Sequence, residues 1–307
     1  MQYEKKVILL AGPTASGKSK LGIKLAQHFG GEIINADSMQ VYKEIIILSS
    51  RPSKHDQKIV RHHLYGFNSV KKNFSTGHWL RLAKRKIEKQ WKEKKTPIIV
   101  GGTGLYFKAL TEGLVKIPNI PKSFRTNVRE IQKKVGQKKF FNQLIKLDPL
   151  VNKFLQPQDV QRSLRAYEVK KFTNRSLFEF IKKTKTSFDD SIFRKVFINP
   201  SRELLHKKIE KRVEDMFNND VIDEVKKFTK MKINKELSPN KIIGIKEIKD
   251  YLEKKTTLSQ TKELIKIKTR QYAKRQFTWA RGHMKSWETI YSSNTNDLFE
   301  KTINKIF

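Results

Sequence analysis

Cysteine is missing from all 307 residues, which excludes disulfides, thiolate catalysis and any zinc site that depends on cysteine. Acidic residues are scarce, 30 Asp and Glu against 66 Lys and Arg, leaving a formal charge of +36. No stretch approaches the roughly 20 apolar residues that span a bilayer, so no membrane segment is expected. Met1 to Lys6 has no cationic leader with a small-residue cleavage site, and the expectation is a cytoplasmic protein. The seven histidines are scattered; His62 and His63 are adjacent rather than at ligand spacing and predict a structural or surface role.

Hydrophobic residues at 37% and aromatics at 10% fit a folded chain long enough for one large domain or two smaller ones. The excess positive charge favours a polyanion such as nucleic acid. A general lysine bias would give the same number without a partner, so the placement of the arginines has to decide.

The run Val7–Ala11 is wholly apolar, as a central parallel strand buried on both faces must be. Gly12-Pro13-Thr14-Ala15-Ser16-Gly17-Lys18-Ser19 follows at once, then Leu21, Leu25, Ala26 and Phe29 at helical spacing. This is G-x-x-x-x-G-K-S in its strand-then-helix setting. The glycines let successive backbone N–H groups turn inward as an anion nest, the helix N-terminus adds positive potential, Lys18 reaches the terminal phosphate and Ser19 can ligate Mg²⁺. The motif specifies a phosphate chain and leaves its fate open among kinases, ATPases and diphosphate-using transferases.

A second strand, 33–36, ends at Asp37-Ser38, and a third, 97–100, ends at Gly101-Gly102-Thr103-Gly104. Strands alternating with helices imply a parallel α/β sheet, whose ligands bind at strand C-terminal ends. Asp37 then stands where a general base or metal-holding carboxylate would be, and Thr103 offers a hydroxyl nearby. From 116 to about 191 the strand signals vanish; Ile117-Pro118-Asn119-Ile120-Pro121 marks a boundary. A returning strand is expected at 196–198, then long helices, one over 259–281. The expected organisation is a P-loop α/β core, 1–115 and 193–307, with a helical insertion, 116–192, and a helical C-terminal part.

Arg162 and Arg165 in Gln161-Arg162-Ser163-Leu164-Arg165 share a helix face able to hold a phosphate. Lys262, Lys266, Arg270 and Lys274 recur every four residues; such like-charge pairs cost a helix about 0.2–0.5 kcal/mol each, so an anionic partner or a merely solvated cationic face is expected there. Phe277 and Trp279, in Lys274-Arg275-Gln276-Phe277-Thr278-Trp279-Ala280-Arg281, suit either base stacking or the core.

In order along the chain, GPTASGKS, DSMQVY, GGTGLYFKAL, QRSLRAYEV, SRELLHKKIEKRVEDMF, IIGIKE and KRQFTWARG resemble the tRNA dimethylallyltransferase family. The resemblance implies a P-loop NTPase-like fold and transfer of a dimethylallyl group from dimethylallyl diphosphate to the N6 amine of the adenosine 3′ to the anticodon, releasing diphosphate. It implies that Asp37 accepts the amine proton, that Thr103 positions diphosphate and base, and that Lys18, Arg212 and Mg²⁺ on Ser19 neutralise the leaving group. It assigns tRNA contacts to Asp37, Ser38, Met39, Gln40, Thr103 and Arg125, and to the blocks at 161–165 and 274–281. A monomer acting on a tRNA anticodon stem-loop is expected. A small-molecule P-loop kinase and a non-catalytic RNA-binding protein remain as other readings. The chain departs from the family pattern after Tyr42, where 43–52 lacks the usual glycine and threonine and Arg51 replaces lysine, at Asn219-Asp220 in place of a glycine turn, and at Ile245 in place of tyrosine.

Overall fold

A computed structural model describes residues 4–292 and 297–306. Six parallel strands form one sheet in the order β3-β2-β4-β1-β5-β6: β1 Val7–Ala11, β2 Glu32–Asn35, β3 His62–His63, β4 Pro97–Gly101, β5 Phe193–Pro200 and β6 Glu288–Ser292. Central β1 is flanked by β4, with Ala11 opposite Gly101, and by β5, with Ala11 opposite Phe197. All five of its side chains are buried, which is why the strand reads as a continuous apolar run. The returning strand is longer than expected, eight residues rather than three. β3 and β6 escaped the sequence reading; β3 is only two residues long, and β6, with Glu288 and Tyr291 exposed, lacks a continuous apolar run.

One sheet face packs Ile8, Leu10, Ile33, Ile98 and Ile198 against Leu21 and Leu25 of the helix Lys18–His28. Each such buried side chain contributes about 1.5–3 kcal/mol. On the helix Thr76–Lys92, Trp79, Ala83 and Ile87 are buried, and the Trp79 indole donates to the Asn35 carbonyl at 2.6 Å. The long C-terminal helix runs Leu258–His283, capped by Thr257, which accepts from the Gln260 N–H.

By its contacts the chain clusters into two compact units, residues 1–109 with 188–307, and residues 110–187. The second is all helix among its regular elements, with a core of its own around Phe141, Leu144, Val151, Val169 and Phe178.

All three departures from the family pattern have physical explanations. Asp220 caps the helix Val221–Lys230 in the left-handed region, φ 58° and ψ 33°, a conformation that Asp and Asn tolerate with less strain than other non-glycine residues. That helix presents Glu224, whose carboxylate accepts the N–H groups of Ile46, Ile47 and Leu48 at 2.6, 2.8 and 3.0 Å. A carboxylate thus holds a segment that lacks the usual turn residues. Ile245 is buried in the same cluster as Ile45 and Leu48, which suits an aliphatic side chain.

Candidate active site

The phosphate loop is built to leave donors free. Gly17 begins the helix Lys18–His28 at φ 93°, with no side-chain cap on its first turn. Ala15 is also left-handed, φ 62°, so the loop alternates backbone regions as an anion nest requires. Ser16 is buried and its hydroxyl has no partner among the described residues. A buried polar atom left unpaired costs about 1–3 kcal/mol, and a ligand oxygen at this loop would relieve it.

Two cations converge here. Lys18 Nζ donates to the Pro13 carbonyl at 3.0 Å, and Arg212 Nη1 donates to Thr14 Oγ1 at 2.7 Å. Burial pushes the Lys18 ammonium down to about 8, with Asp37 opposing the shift and Arg212 adding to it. Burial also lowers Arg212, against the charge of Asp37, and its Nε is buried with no hydrogen-bond partner among the described residues. Two cations desolvated around one loop form a site prepared for an anion.

Asp37 follows β2, and its position is set by an Asx-type turn. Its N–H donates to Asn35 Oδ1 at 2.8 Å, while its own Oδ1 accepts from the Met39 N–H at 2.9 Å. Asn35 Nδ2 bridges the carbonyls of Asp37 and Leu64 at 3.0 and 2.9 Å. The phenols of Tyr65, Tyr106 and Tyr272 are all pushed well above their ordinary range, first by burial and then by the Asp37 charge, so all three stay neutral, and Tyr272 lines a cavity together with Asp37. Thr103 Oγ1 accepts from the Ser38 N–H at 2.9 Å and donates to Ser38 Oγ at 3.2 Å. Gly101 allows this junction, because a Cβ there would lie 2.1 Å from the Ala36 carbonyl oxygen.

Gln276 ties the two glycine loops together. Its Oε1 accepts the Thr14 N–H at 2.8 Å and its Nε2 donates to the Gly102 carbonyl at 2.9 Å. Trp279 covers Gly104, where a Cβ would fall 2.2 Å from the indole, and stacks on His283 at 4.4 Å between ring centres. A cavity of about 250 Å³ is lined by Gly12, Ser38, Gly102, Thr103, Phe107, Gln276 and Trp279. Another of about 280 Å³ is lined by Thr14, Asp37, Met39, Arg212, Met216 and Ile265. Tyr272 and Arg275 line both. The sequence reading missed Gln276 as a bridge, and missed Asn35, Tyr65 and Tyr272 altogether. For Asn35, standing two residues before Asp37, the Asx-turn pattern was the available signal.

The predicted RNA contacts divide. Gln40 spends its amide donors on the Ser49 and Ser50 carbonyls, both at 2.9 Å, and so anchors the 45–50 segment. In the helix Val160–Thr173, Ser163 and Leu164 are buried, Ser163 Oγ donating to the Asp159 carbonyl and Leu164 packing with Val128 and Phe140; their predicted RNA contacts are corrected to a core role. Gln161 and Arg162 are exposed and Arg165 half-buried. Arg162 pairs with Asp159 at 3.3 Å and Arg165 with Glu168 at 3.2 Å. Arg125 is half-buried on the first turn of the helix Lys122–Val135. Of the 274–281 block, Lys274, Arg275, Thr278 and Arg281 are exposed, whereas Phe277 is half-buried edge-on to Phe197. The cationic stripe before it needs no outside anion: Lys262 and Lys266 pair with Glu214 at 2.6 and 2.8 Å, and Arg270 with Glu263 at 2.6 Å.

His63 belongs to a separate buried network. Its Nε2 lies 2.6 Å from Glu32 Oε2, and Lys95 Nζ lies 2.6 Å from Glu32 Oε1. Among the described residues no group of three or more His, Asp or Glu side chains could hold a metal, and no helix is long and apolar enough to cross a membrane.

Residues 40–283 match the family model described as IPP transferase. A tRNA dimethylallyltransferase of Pelagibacter ubique is 56% identical over 94% of this chain and 92% of its own length. One from Rickettsia massiliae is 41% identical over 99% of this chain and 84% of its own. Among solved structures, the full-length tRNA isopentenylpyrophosphate transferase of Bacillus halodurans aligns with a TM-score of 0.69 at 27% identity, covering 98% of each chain. A eukaryotic dimethylallyltransferase captured acting on tRNA aligns with a TM-score of 0.80 at 28% identity, over 94% of this chain and 74% of that one. With this extent of agreement over nearly its whole length, the chain belongs to the IPP transferase family, that of the tRNA dimethylallyltransferases.

Proposed function

We propose that this enzyme transfers a dimethylallyl group from dimethylallyl diphosphate to the exocyclic amine of an adenosine beside the anticodon of tRNA, with diphosphate as leaving group. The observation that carries the proposal is that Asp37 and Arg212 line one cavity together with Thr14 of the phosphate loop, the loop on which Arg212 and Lys18 both place a hydrogen bond. A base and an anion cradle share one crevice, as a displacement at the first prenyl carbon requires. The amine attacks that carbon as its bond to the diphosphate oxygen breaks, and Asp37 takes the amine proton. One carboxylate oxygen is occupied by the Met39 N–H, which orients the other for that proton.

Negative charge grows on the departing oxygen, so donors fixed before the reaction stabilise the transition state more than the ground state. Lys18, Arg212, the Ser16 hydroxyl and the loop N–H groups serve here. Thr103, bonded to Ser38, fixes the junction that the base would face. A Mg²⁺ ion fits a donor set with few protein ligands, since magnesium keeps several waters and is held largely by substrate phosphates; Ser19, exposed on the first helical turn, would contribute its hydroxyl, and the ion would supply further charge neutralisation. A loop base can be unstacked for a few kcal/mol, whereas a paired one cannot reach such a crevice. Arg125, Gln161, Arg162 and Arg165, in the helical unit, would meet the RNA backbone, as would Lys274, Arg275 and Arg281.

The kinase reading gives no role to the Gln276 bridge or to the 161–165 block, and the matched relatives carry the prenyl-transfer name. Incubation with dimethylallyl diphosphate, Mg²⁺ and unmodified tRNA, followed by nucleoside mass spectrometry, is expected to yield prenylated adenosine. ATP turnover on a small acceptor without RNA modification would overturn the assignment.

A further inference from the structure

The helix Leu258–His283 has two functional flanks. Arg275, Gln276 and Trp279 line the crevice already described, while Lys274, Phe277 and Arg281 line a different and much larger cavity, about 1050 Å³. This second cavity has an apolar floor, which includes Phe197, Leu205 and Phe277, and a cationic rim of Arg202, Lys274, Arg281 and Lys285. All four rim cations are exposed, and none forms an ion pair among the described residues. Arg270, on the same cavity wall, shows the contrast: it is held by Glu210 and Glu263. Tyr291 at the end of β6 is 70% exposed, the largest exposure among the large hydrophobic and aromatic side chains described.

Apolar floor, exposed aromatic and dispersed unpaired cations together form the surface that single-stranded nucleic acid uses, bases on aromatic faces and phosphates on cations. The two cavities also adjoin, since Phe197, Ala280 and Met284 line both. A strand placing one base in the crevice beside Thr103 would carry a neighbouring nucleotide to the larger cavity. We propose that this cavity receives an unpaired nucleotide of the RNA substrate next to the modified adenosine, its base against Phe277 or Tyr291 and its phosphates on Arg202, Arg281 and Lys285. The proposal rests on the tRNA-modifying reading above. A free mononucleotide is a poorer fit, because Lys274 and Arg281 stand seven residues apart on one helix, about 10 Å at 1.5 Å per residue, too far to gather on one phosphate.

The test uses the full-length enzyme and an unmodified tRNA. Tyr291→Ala, at an exposed position where folding is unaffected, is expected to weaken tRNA binding about tenfold, the loss of one base stacked on an aromatic ring. The double variant Arg202→Gln and Lys285→Gln is expected to reduce the slope of log Kd against log salt by about 1.4, two phosphate contacts to a single strand. In both, affinity for prenyl diphosphate measured without RNA stays as in the unaltered enzyme. A photo-crosslinking residue at position 291 should label a nucleotide adjacent to the modified adenosine. Unchanged tRNA affinity in all variants, crosslinks confined to the stem, or mononucleotide binding at 291 with no effect on RNA would overturn the proposal while leaving the activity standing. If the unaltered enzyme does not prenylate tRNA, the functional reading fails and this one with it.

Discussion

The buried ammonium of Lys18 should set the alkaline limit of the reaction. With no diphosphate bound, burial lowers it to about 8, well below the usual lysine value, so it loses its proton within an accessible pH range. The deprotonated amine cannot neutralise an incoming diphosphate. Because kcat/KM reports ionisations of the free enzyme, it should stand on a plateau near pH 7 and descend above pH 8. With a folded value near 8, about one molecule in eleven keeps the charge at pH 9, so kcat/KM for the prenyl diphosphate falls about tenfold per pH unit beyond the midpoint. The bound anion favours the charged form, so the corresponding limb in kcat appears at higher pH. The assay is initial rate against pH at low prenyl diphosphate and saturating tRNA, for the unaltered enzyme and for Lys18→Met. The variant should be slower and should have lost this limb. A flat kcat/KM from pH 7.5 to 9.5 in the unaltered enzyme, or an identical limb in Lys18→Met, would refute the reasoning.

Other expectations follow from single contacts. Glu224→Ala removes the acceptor shared by three backbone N–H groups; we expect about 2 kcal/mol of destabilisation, read as a Tm lower by several degrees with the reaction chemistry retained. Gly104→Ala drives a methyl into the Trp279 indole, and displacing that ring should cost about 1–3 kcal/mol, seen as a changed tryptophan emission together with a reduced kcat/KM. Gln276→Ala unties both glycine loops and should lower affinity for diphosphate alone, measured by calorimetry, about tenfold for roughly 1.4 kcal/mol of lost hydrogen bonding. At His63, burial pushes the imidazole down against its bond to Glu32, and at Glu32 burial is outweighed by bonds from Lys95 and His63, which hold the carboxylate down. Both folded values lie below the unfolded ones, so the stability they contribute is present above about pH 6.5 and is lost as pH falls; Tm followed from pH 7.5 to 4 should decline, and less steeply in Glu32→Gln.

The parts of the site legible in the sequence are those where local backbone geometry and function impose the same letters. Gly12 to Ser19 could be read because an anion nest needs left-handed backbone at fixed positions, and Gly17 supplies it. Asp37 and Thr103 could be placed because strands β2 and β4 are neighbours whose C-terminal ends meet at one edge. Gln276 was legible only as part of a block; that it spans both glycine loops depends on a helix returning some 170 residues later, which no local pattern encodes. The cationic stripe at 262–270 stayed open between an anionic partner and a solvated face for the same reason. Its counter-charges, Glu210 and Glu214, lie on another helix about 50 residues earlier, and spacing along one helix cannot show what a second helix presents to it. Once those carboxylates are counted, the exposed positive charge on this helix is concentrated at Lys274, Arg275 and Arg281, beside the crevice and the larger cavity. The net charge of +36 is therefore a weaker guide to RNA than the position of the three cations on this helix that no neighbouring helix has neutralised.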